Sequence, residues 1–252
     1  MSVAWLYSLA SVIVVSLISL VGIFALKLSE DTLKRTIFIL VSLATGGLLG
    51  DAFIHILPEA YAHTAAAMAT SVYVLAGIFV FFILEKFLRW RHEHVPYGTH
   101  YGNPSHAVGM MNLIADGVHN FIDGMVIAAS YLVSIPIGIA TTLAVLLHEL
   151  PQEIGDYGIL LHAGFSKARA LFFNFLSALT AIIGAIMALA VGAEGEKLSS
   201  FLLPFTAGAF IYIAGSDLVP ELHKEHEMSK SLLQLLAMSI GVGLMLLLRL
   251  VG

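Results

Sequence analysis

Long apolar runs, each about the length of a helix that crosses a lipid bilayer, occupy most of this 252-residue chain. Hydrophobic residues make up 59% of the sequence and charged residues only 12%, whereas about a quarter of the residues in a soluble domain are charged. No segment outside the runs is long enough to bury a core of its own. The sequence therefore predicts an all-α, polytopic protein that lies in a membrane as a single domain over residues 1–252.

Apolar length and helix breakers divide the chain into about eight spans. The spans cover residues 4–26, 36–57, 71–90, 107–132, 136–161, 168–191, 201–222 and 231–250. The first run begins almost at Met1 with no basic segment before it, so we interpret it as a span and not as a cleaved signal peptide. The longest polar connector, residues 91–105, carries His92, His94 and His100, which either hold metal loosely or are simply solvated.

Basic residues indicate how the spans are oriented. Lysine and arginine occur in the first, third, fifth and seventh connectors, and only Lys197 and Arg249 fall on the other side. By the positive-inside rule the odd-numbered connectors are cytoplasmic and both termini face outward. The net charge of −5 provides no basic surface for nucleic acid.

Two polar motifs interrupt the apolar spans. The sequence HNFIDG occupies His119–Gly124 in span four, and HELPQE occupies His148–Glu153 in span five. Ionisable side chains are costly in hydrocarbon and usually mark a site or a pathway. Within each span the polar groups share helix faces because they are one turn apart. These neighbours are His119 with Asp123, His148 with Gln152, and Glu149 with Glu153, and Asn120 lies beside the first pair.

The residue types in these motifs indicate a metal site. The chain has no cysteine, so disulfides and thiolate ligands are excluded, and His, Asp, Glu, Asn and Gln are the candidate ligands. Two facing helices would bring imidazole, carboxylate and amide groups to one point, and such a set suits Zn²⁺, Fe²⁺ or Mn²⁺. The alternative is that these groups pair with one another and hold the helices together.

Spans two and seven end in related sequences. Residues 51–59 read DAFIHILPE and residues 217–221 read DLVPE. Aligning the Pro-Glu pairs places Asp217 opposite His55, and the two spans run in opposite directions, so the repeat is inverted as in many secondary transporters. Asp51, His55 and Asp217 then either line a route for the ion or are hydrated groups near the membrane interface.

The two motifs resemble those of the ZIP family of metal-ion transporters. His119–Gly124 matches the fourth-span motif of that family. His148–Asp156 resembles the fifth-span motif HExPHExGD of its LIV-1 branch. The eight spans, the outward termini and the His-bearing third connector also fit, so the resemblance covers nearly the whole chain.

This resemblance implies both a mechanism and a set of ligands. It implies a homodimer that moves divalent metal into the cytoplasm, from outside or from an organelle, by sliding one helix bundle against another. The implied main site consists of His119, Asp123, His148 and Gln152. The implied second site includes Asn120 and Glu149, and the implied route to these sites passes Asp51, His55 and Asp217.

The chain departs from the family pattern at two places. Gln152 stands where the LIV-1 motif has its second histidine, and an amide oxygen is a harder and weaker donor than imidazole. Zinc is the expected cargo, and Fe²⁺, Mn²⁺ or Cd²⁺ remain alternatives. Residues 179–182 read LTAI where several branches carry a Glu-Pro pair that supplies the second site, so we expect that second site to be weak or empty.

Two competing functions follow from the same motifs. His148–Gln152 nearly reads HExxH, the helix of zinc proteases, including proteases of the membrane. Its second histidine is missing and Pro151 interrupts the helix that would align the ligands, so we expect a transporter and not an enzyme. A metal-binding receptor that does not transport is the other alternative.

The sequence also leads to expectations about location and motion. The short chain and the lack of a targeting signal favour the inner membrane of a prokaryote, with a plasma or organelle membrane as the alternative. We expect spans four and five to move as a unit against the spans around them. Small residues such as Gly46 and Gly50 are expected to ease that contact.

Overall fold

The computed structural model describes residues 3–25, 27–62, 67–93, 104–192 and 196–251, and these residues contain helices and no strand. Twelve α-helices follow one another in this part of the chain. They are α1 (Val3–Ile18), α2 (Gly22–Ala25), α3 (Glu30–Gly50), α4 (Leu57–Ala62), α5 (Ala67–Glu93), α6 (Pro104–Val133), α7 (Ile135–His162), α8 (Lys167–Ala178), α9 (Thr180–Gly192), α10 (Glu196–Ile213), α11 (Val219–Leu222) and α12 (Met228–Val251). The all-α prediction is confirmed.

Several short helices join end to end into longer columns, which correspond to the predicted spans. Six of the columns are long and apolar enough to cross a bilayer: Val3–Phe24, Asp31–Ala62, Ala67–Leu84, Lys167–Gly192, Phe201–Leu222 and Met228–Leu250. The helices α6 and α7, with 30 and 28 residues, complete the set of predicted spans. These two helices carry both polar motifs, which lowers their hydropathy, and the motifs lie inside the protein.

Helix packing divides the columns into two groups. In the first, α6 packs against α7 and α9, and α1 and α8 lie against them. In the second, α3 packs against α12 and α10 packs against α5. We call these the first bundle (α1, α2 and α6–α9) and the second bundle (α3–α5 and α10–α12). The largest contact between the two bundles is that of α3 with α7.

Within each bundle, paired glycines bring helix backbones close together. A Cβ atom added to Gly184 would overlap the backbone oxygen of Phe121, so α9 can approach α6 this closely only without a side chain there. The pairs that do this reciprocally are Gly124 with Gly184 in α6–α9, Gly77 with Gly208 in α5–α10, and Gly46 with Gly241 in α3–α12. These three contacts make each bundle a tightly packed unit.

The glycines of span two do not lie at the contact with span five. Gly46 and Gly50 face α12 in the same bundle, because they share one face of α3. Gly47, one position along and therefore about 100° around the helix, meets Leu147 of α7. The expectation that Gly46 and Gly50 ease motion between spans two and five is therefore wrong.

Each of the repeat-related spans contains a π-helical segment at an equivalent place. In both spans a single residue separates the π-helical segment, Asp51–Ile56 or Ala214–Leu218, from the Pro-Glu pair that follows. Proline clashes with the carbonyl four residues earlier in an α-helix, and that carbonyl lies inside the π-helical segment in both spans. The wider turn accommodates the proline, and its recurrence extends the inverted repeat from sequence to backbone.

Helix α7 continues through Pro151, where the sequence predicts an interruption. The helix runs from Ile135 to His162 without a break. Ser134 caps its start, accepting a hydrogen bond from the Ile137 amide at 3.3 Å. Pro151 is itself buried, and packing on several sides compensates for the single backbone hydrogen bond that proline removes. The two motif helices therefore present their polar groups at fixed helical intervals.

The glycine contact between α6 and α9 predicts a stability effect. Gly184→Val should lower the free energy of unfolding by about 1–3 kcal/mol, the usual cost of overpacking, because its side chain must displace the α6 backbone. The purified protein's unfolding in detergent, followed by intrinsic fluorescence, measures this change.

Gly243→Ala is the matched control for this substitution. No atom lies near a Cβ placed at Gly243, so alanine should leave stability unchanged or raise it by about 1 kcal/mol through helix propensity. Equal effects of the two substitutions would contradict the close approach of α6 and α9.

Candidate metal centre

Four side chains from the two motif helices meet inside the first bundle. His119 and Asp123 come from α6, and His148 and Glu149 come from α7. One donor atom of each lies within 4.8 Å of the donor atoms of the others. Asp123, His148 and Glu149 are each 1% exposed, whereas His119 is 18% exposed and gives the cluster its open side. We call these four residues the metal cluster.

Five of the six donor–donor distances in the metal cluster lie close to those of a tetrahedral cation site. His119 Nε2 lies 3.2 Å from His148 Nε2. Oδ2 of Asp123 lies 3.0 Å from His148 Nε2 and 3.8 Å from His119 Nε2. Glu149 Oε1 lies 3.5 and 3.6 Å from the same two nitrogens. Ligands about 2.1 Å from a tetrahedral zinc ion are about 3.4 Å apart, within this range.

The surroundings of His148 fix its ring for binding. Its Nδ1 lies 3.2 Å from the backbone oxygen of Ala144, one turn earlier on α7. Donation of the Nδ1 hydrogen to that oxygen leaves the Nε2 lone pair facing the metal cluster. From the second bundle, the ring of Phe210 contacts the imidazole edge to face, with 6.4 Å between ring centroids. The imidazole is therefore held from both bundles.

The carboxylates of the metal cluster lack hydrogen-bond donors. Oδ2 of Asp123 and both oxygens of Glu149 are buried and accept no hydrogen bond. Among the residues that the structure describes, neither carboxylate forms an ion pair with lysine or arginine; their nearest polar neighbours are the two imidazoles. Buried carboxylates without a compensating charge are costly. A divalent cation would supply that charge, which explains why the oxygens converge.

Gln152 is not among the four His, Asp and Glu residues that define the metal cluster. Its side chain hydrogen-bonds to Asp116, which lies about one turn before His119 on α6. Glu149, which the family resemblance places in the second site, is one of the four residues of the metal cluster. Asn120 also turns to Asp116, donating through Nδ2 to Oδ1 at 2.8 Å, while its own Oδ1 is buried without a partner.

Span six supplies two polar residues that the motifs did not indicate. Asn174 Nδ2 donates to Oε2 of Glu153 at 2.5 Å, and Ser177 Oγ donates to Oδ2 of Asp116 at the same distance. Both residues lie on α8, three positions apart in an otherwise apolar stretch. That spacing on one helix face is the sequence signal that could have identified them. Glu153 therefore faces α8 and does not join the metal cluster.

Asp51 and His55 form a separate buried pair where the two bundles meet. His55 Nδ1 lies 3.1 Å from Oδ1 of Asp51, and the two side chains are 2% and 0% exposed. Thr141 of α7 donates to Oδ2 of Asp51 at 2.8 Å. The predicted orientation puts this pair on the outer side of the membrane. Through the hydrogen bond from Thr141, this pair connects the second bundle to the first at a place separate from the metal cluster.

Asp217 lies on the opposite side, at a cavity that reaches the metal cluster. The cavity has a volume of about 630 Å³ and is lined by residues of α5, α6, α7 and α10 and the segment after α10. His119 of the metal cluster and Asp217 both line this cavity. Span seven runs inward in the predicted orientation, so the cavity faces the cytoplasm. Asp217 and the Asp51–His55 pair therefore flank the cluster from opposite sides.

Comparison with known proteins relates the chain to one family of membrane proteins. The model of the family described as ZIP zinc transporter matches residues 2–109 and 100–249. The zinc transporter ZIP13 of Pongo abelii is 37% identical over an alignment that is 264 positions long with its gaps and covers 96% of this chain and 78% of that protein.

Two further relatives show similar coverage. The ZIP13 homolog of Drosophila melanogaster is 32% identical over an alignment of 316 positions including gaps, covering 96% of this chain and 88% of the relative. ZIP13 of Homo sapiens is 33% identical over an alignment of 298 positions including gaps, covering 96% of this chain and 80% of the relative. The similarity thus extends over nearly the whole chain and is not restricted to the two motifs.

The geometry predicts how two neighbouring substitutions differ. Glu149→Gln should weaken Zn²⁺ binding at least tenfold, because it removes a charge from the metal cluster and one charge-assisted ligand is worth more than about 1.4 kcal/mol. Gln152→Ala should change the affinity much less, since its amide points to Asp116. Competition with a zinc chelator, using purified protein, measures both.

The pair is chosen so that the two arrangements of ligands give opposite results. If Gln152→Ala abolished zinc binding and Glu149→Gln did not, the ligand set implied by the LIV-1 motif would replace the one described above. Asp31→Asn, a change to an exposed carboxylate at the start of α3, controls for general loss of negative charge.

Proposed function

This chain belongs to the ZIP zinc transporter family, and from that premise we propose that its cargo ion passes through the metal cluster of His119, Asp123, His148 and Glu149. Membership makes the chain a multi-pass membrane transporter of divalent metal and not an enzyme. The protease alternative is thereby removed. The receptor alternative is removed for the same reason.

One observation carries the assignment of the site. Two imidazoles and two carboxylates from adjacent helices converge within 4.8 Å, and three of the four carboxylate oxygens of Asp123 and Glu149 are buried without a hydrogen bond. Groups that merely hold helices together would pair donor with acceptor. Unpaired acceptors around imidazole nitrogens are instead what a cation requires.

The donor set favours zinc as the cargo. Two nitrogen and two oxygen donors at tetrahedral spacing suit Zn²⁺, and the relatives named above are called zinc transporters. We propose that Fe²⁺, Mn²⁺ and Cd²⁺ also bind, because imidazole and carboxylate accept all of them and the site has no thiolate to discriminate. The order of affinity then depends on how well each ion accepts four short bonds to tetrahedrally placed ligands.

Two units that move against each other would give the carrier its alternating access. The glycine contacts lie inside the bundles, whereas α3 and α7 meet across the boundary through side chains such as Leu147. The first bundle holds all four ligands, so its displacement would carry the ion from the Asp51–His55 side to the Asp217 side. The moving unit would then include α1, α8 and α9 along with spans four and five.

The assembly and the membrane are further parts of the proposal. The family resemblance implies a homodimer that delivers metal to the cytoplasm. Large apolar side chains on α5 and α12, such as Phe79, Phe82, Leu235 and Leu236, are exposed and would contact lipid or a second copy. We place the protein in the inner membrane if the source is a prokaryote, and otherwise in a plasma or organelle membrane.

A flux assay tests the proposed site. Reconstituted vesicles containing wild-type protein should accumulate Zn²⁺, detected by an indicator dye trapped inside. His119→Ala and Asp123→Asn should each reduce the rate to that of empty vesicles, because each removes a ligand from a four-ligand site. Normal uptake by a folded Asp123→Asn variant would exclude the metal cluster from the route.

A cysteine pair tests the motion. The chain has no cysteine, so Gly47→Cys with Leu147→Cys introduces a single pair across the α3–α7 boundary, where a Cβ at Gly47 would lie 3.0 Å from Leu147 Cδ1. Crosslinking should block uptake and reduction should restore it. Gly50→Cys with Val242→Cys, inside the second bundle, is the matched control and should transport when crosslinked. Full uptake with the first crosslink intact would favour a channel.

A further inference from the structure

A second acidic group of residues lies below the metal cluster and plays no part in it. It consists of Asp116 on α6 and Asp156 on α7, which both line the cavity of about 630 Å³. Asp156 is eight residues beyond His148, which corresponds to about 12 Å along a helix. The group therefore lies one to two turns from the metal cluster, on the side from which the ion would leave toward the cytoplasm.

Asp116 is held in position by three donors. Asn120 Nδ2 donates to Oδ1 at 2.8 Å, and Ser177 Oγ donates to Oδ2 at 2.5 Å. The amide of Gln152 also hydrogen-bonds to this carboxylate. Asp116 is only 4% exposed. Donors from α6, α7 and α8 thus hold this carboxylate in a fixed orientation.

The carboxylate of Asp156 has fewer hydrogen-bond donors than that of Asp116. Asn112 Nδ2 donates to its Oδ1 at 2.9 Å, but Oδ2 is buried and accepts no hydrogen bond. The side chain is 9% exposed, and its carboxylate lies within hydrogen-bonding reach of that of Asp116. The unpartnered oxygen therefore belongs to a carboxylate that faces a second carboxylate.

Two carboxylates this close repel each other unless something positive lies between them. Among the described residues that line the cavity, none is lysine or arginine. The nearby neutral groups are the amides of Asn112 and Gln152, whose oxygens are also cation ligands. Oxygen donors alone, without imidazole, suit hard divalent cations such as Mn²⁺. This chemistry differs from that of the metal cluster, where two imidazoles are present.

We propose that Asp116 and Asp156, assisted by the amides of Asn112 and Gln152, form an inner cation site that receives the ion after it leaves the metal cluster. The cargo is that of the proposed function. The ion exchanges imidazole nitrogens for weaker oxygen ligands at this step. Polar groups recur at every turn, at Asn112, Asp116 and Asn120 on α6 and at His148, Gln152 and Asp156 on α7, so the ion has ligands along the way.

Equilibrium binding of Mn²⁺ tests the inner site without transport. The full chain is purified in detergent, and bound Mn²⁺ is counted by electron paramagnetic resonance. Asp123→Asn disables the metal cluster and should retain one weakly bound ion, which the additional change Asp156→Asn should remove. In the otherwise wild-type chain, Asp156→Asn should lower the number of bound ions by one, and Asp156→Glu should keep it.

The controls separate the possible outcomes. Asp31→Asn should bind as the wild type does, and Asp116→Asn repeats the test if Asp156→Asn does not fold. Unchanged Mn²⁺ binding in both folded variants would overturn the inner site and show that the two carboxylates share a proton instead. If Mn²⁺ binding depends on Asp156 but the reconstituted protein shows no metal flux, the inner site is supported and the proposed transport function is wrong.

Discussion

Buried carboxylates without a matching lysine or arginine are the constraint on which the rest of this structure depends. Asp123 and Glu149 lie 1% exposed inside a helix bundle whose surroundings are apolar, and three of their oxygens accept no hydrogen bond. Such a group is unfavourable in its ionised form unless a cation lies beside it. In the proposed function, the two imidazoles would help to hold the ion and the cavity at His119 would admit it.

In the proposed mechanism, the two-bundle architecture connects this site to movement. Paired glycines in α6–α9, α5–α10 and α3–α12 bring backbones into contact and leave little freedom within each bundle. The ligands all belong to one bundle, while the polar groups that flank them, Asp51, His55 and Asp217, belong to the other. Thr141, which donates to Asp51, is a polar contact across this boundary. The π-helical segments place the flanking groups at equivalent points of the inverted repeat.

Sequence reasoning recovered the elements whose signal is local. Apolar length identified the spans, and helical spacing grouped His119 with Asp123. It did not show that the donor atom of Glu149 lies beside those of His119 and Asp123, because neighbouring positions on α7 differ by only about 100° and the crossing of two helices decides which side chains converge. Nor could it show that Gly46 faces α12, or that Asn174 reaches Glu153, since both contacts depend on which helices pack together. The predicted interruption at Pro151 was wrong for a different reason, because packing keeps α7 continuous.

X-ray absorption at the zinc edge, recorded on the zinc-loaded protein, tests the central claim most directly. Four ligands at about 2.0–2.2 Å are expected, two of them imidazoles recognisable by scattering from their outer ring atoms. His148→Ala should remove one imidazole from the spectrum, and Glu149→Gln should alter the oxygen shell. A spectrum with no imidazole, or one that neither substitution changes, would contradict the assignment of the metal cluster as the transport site.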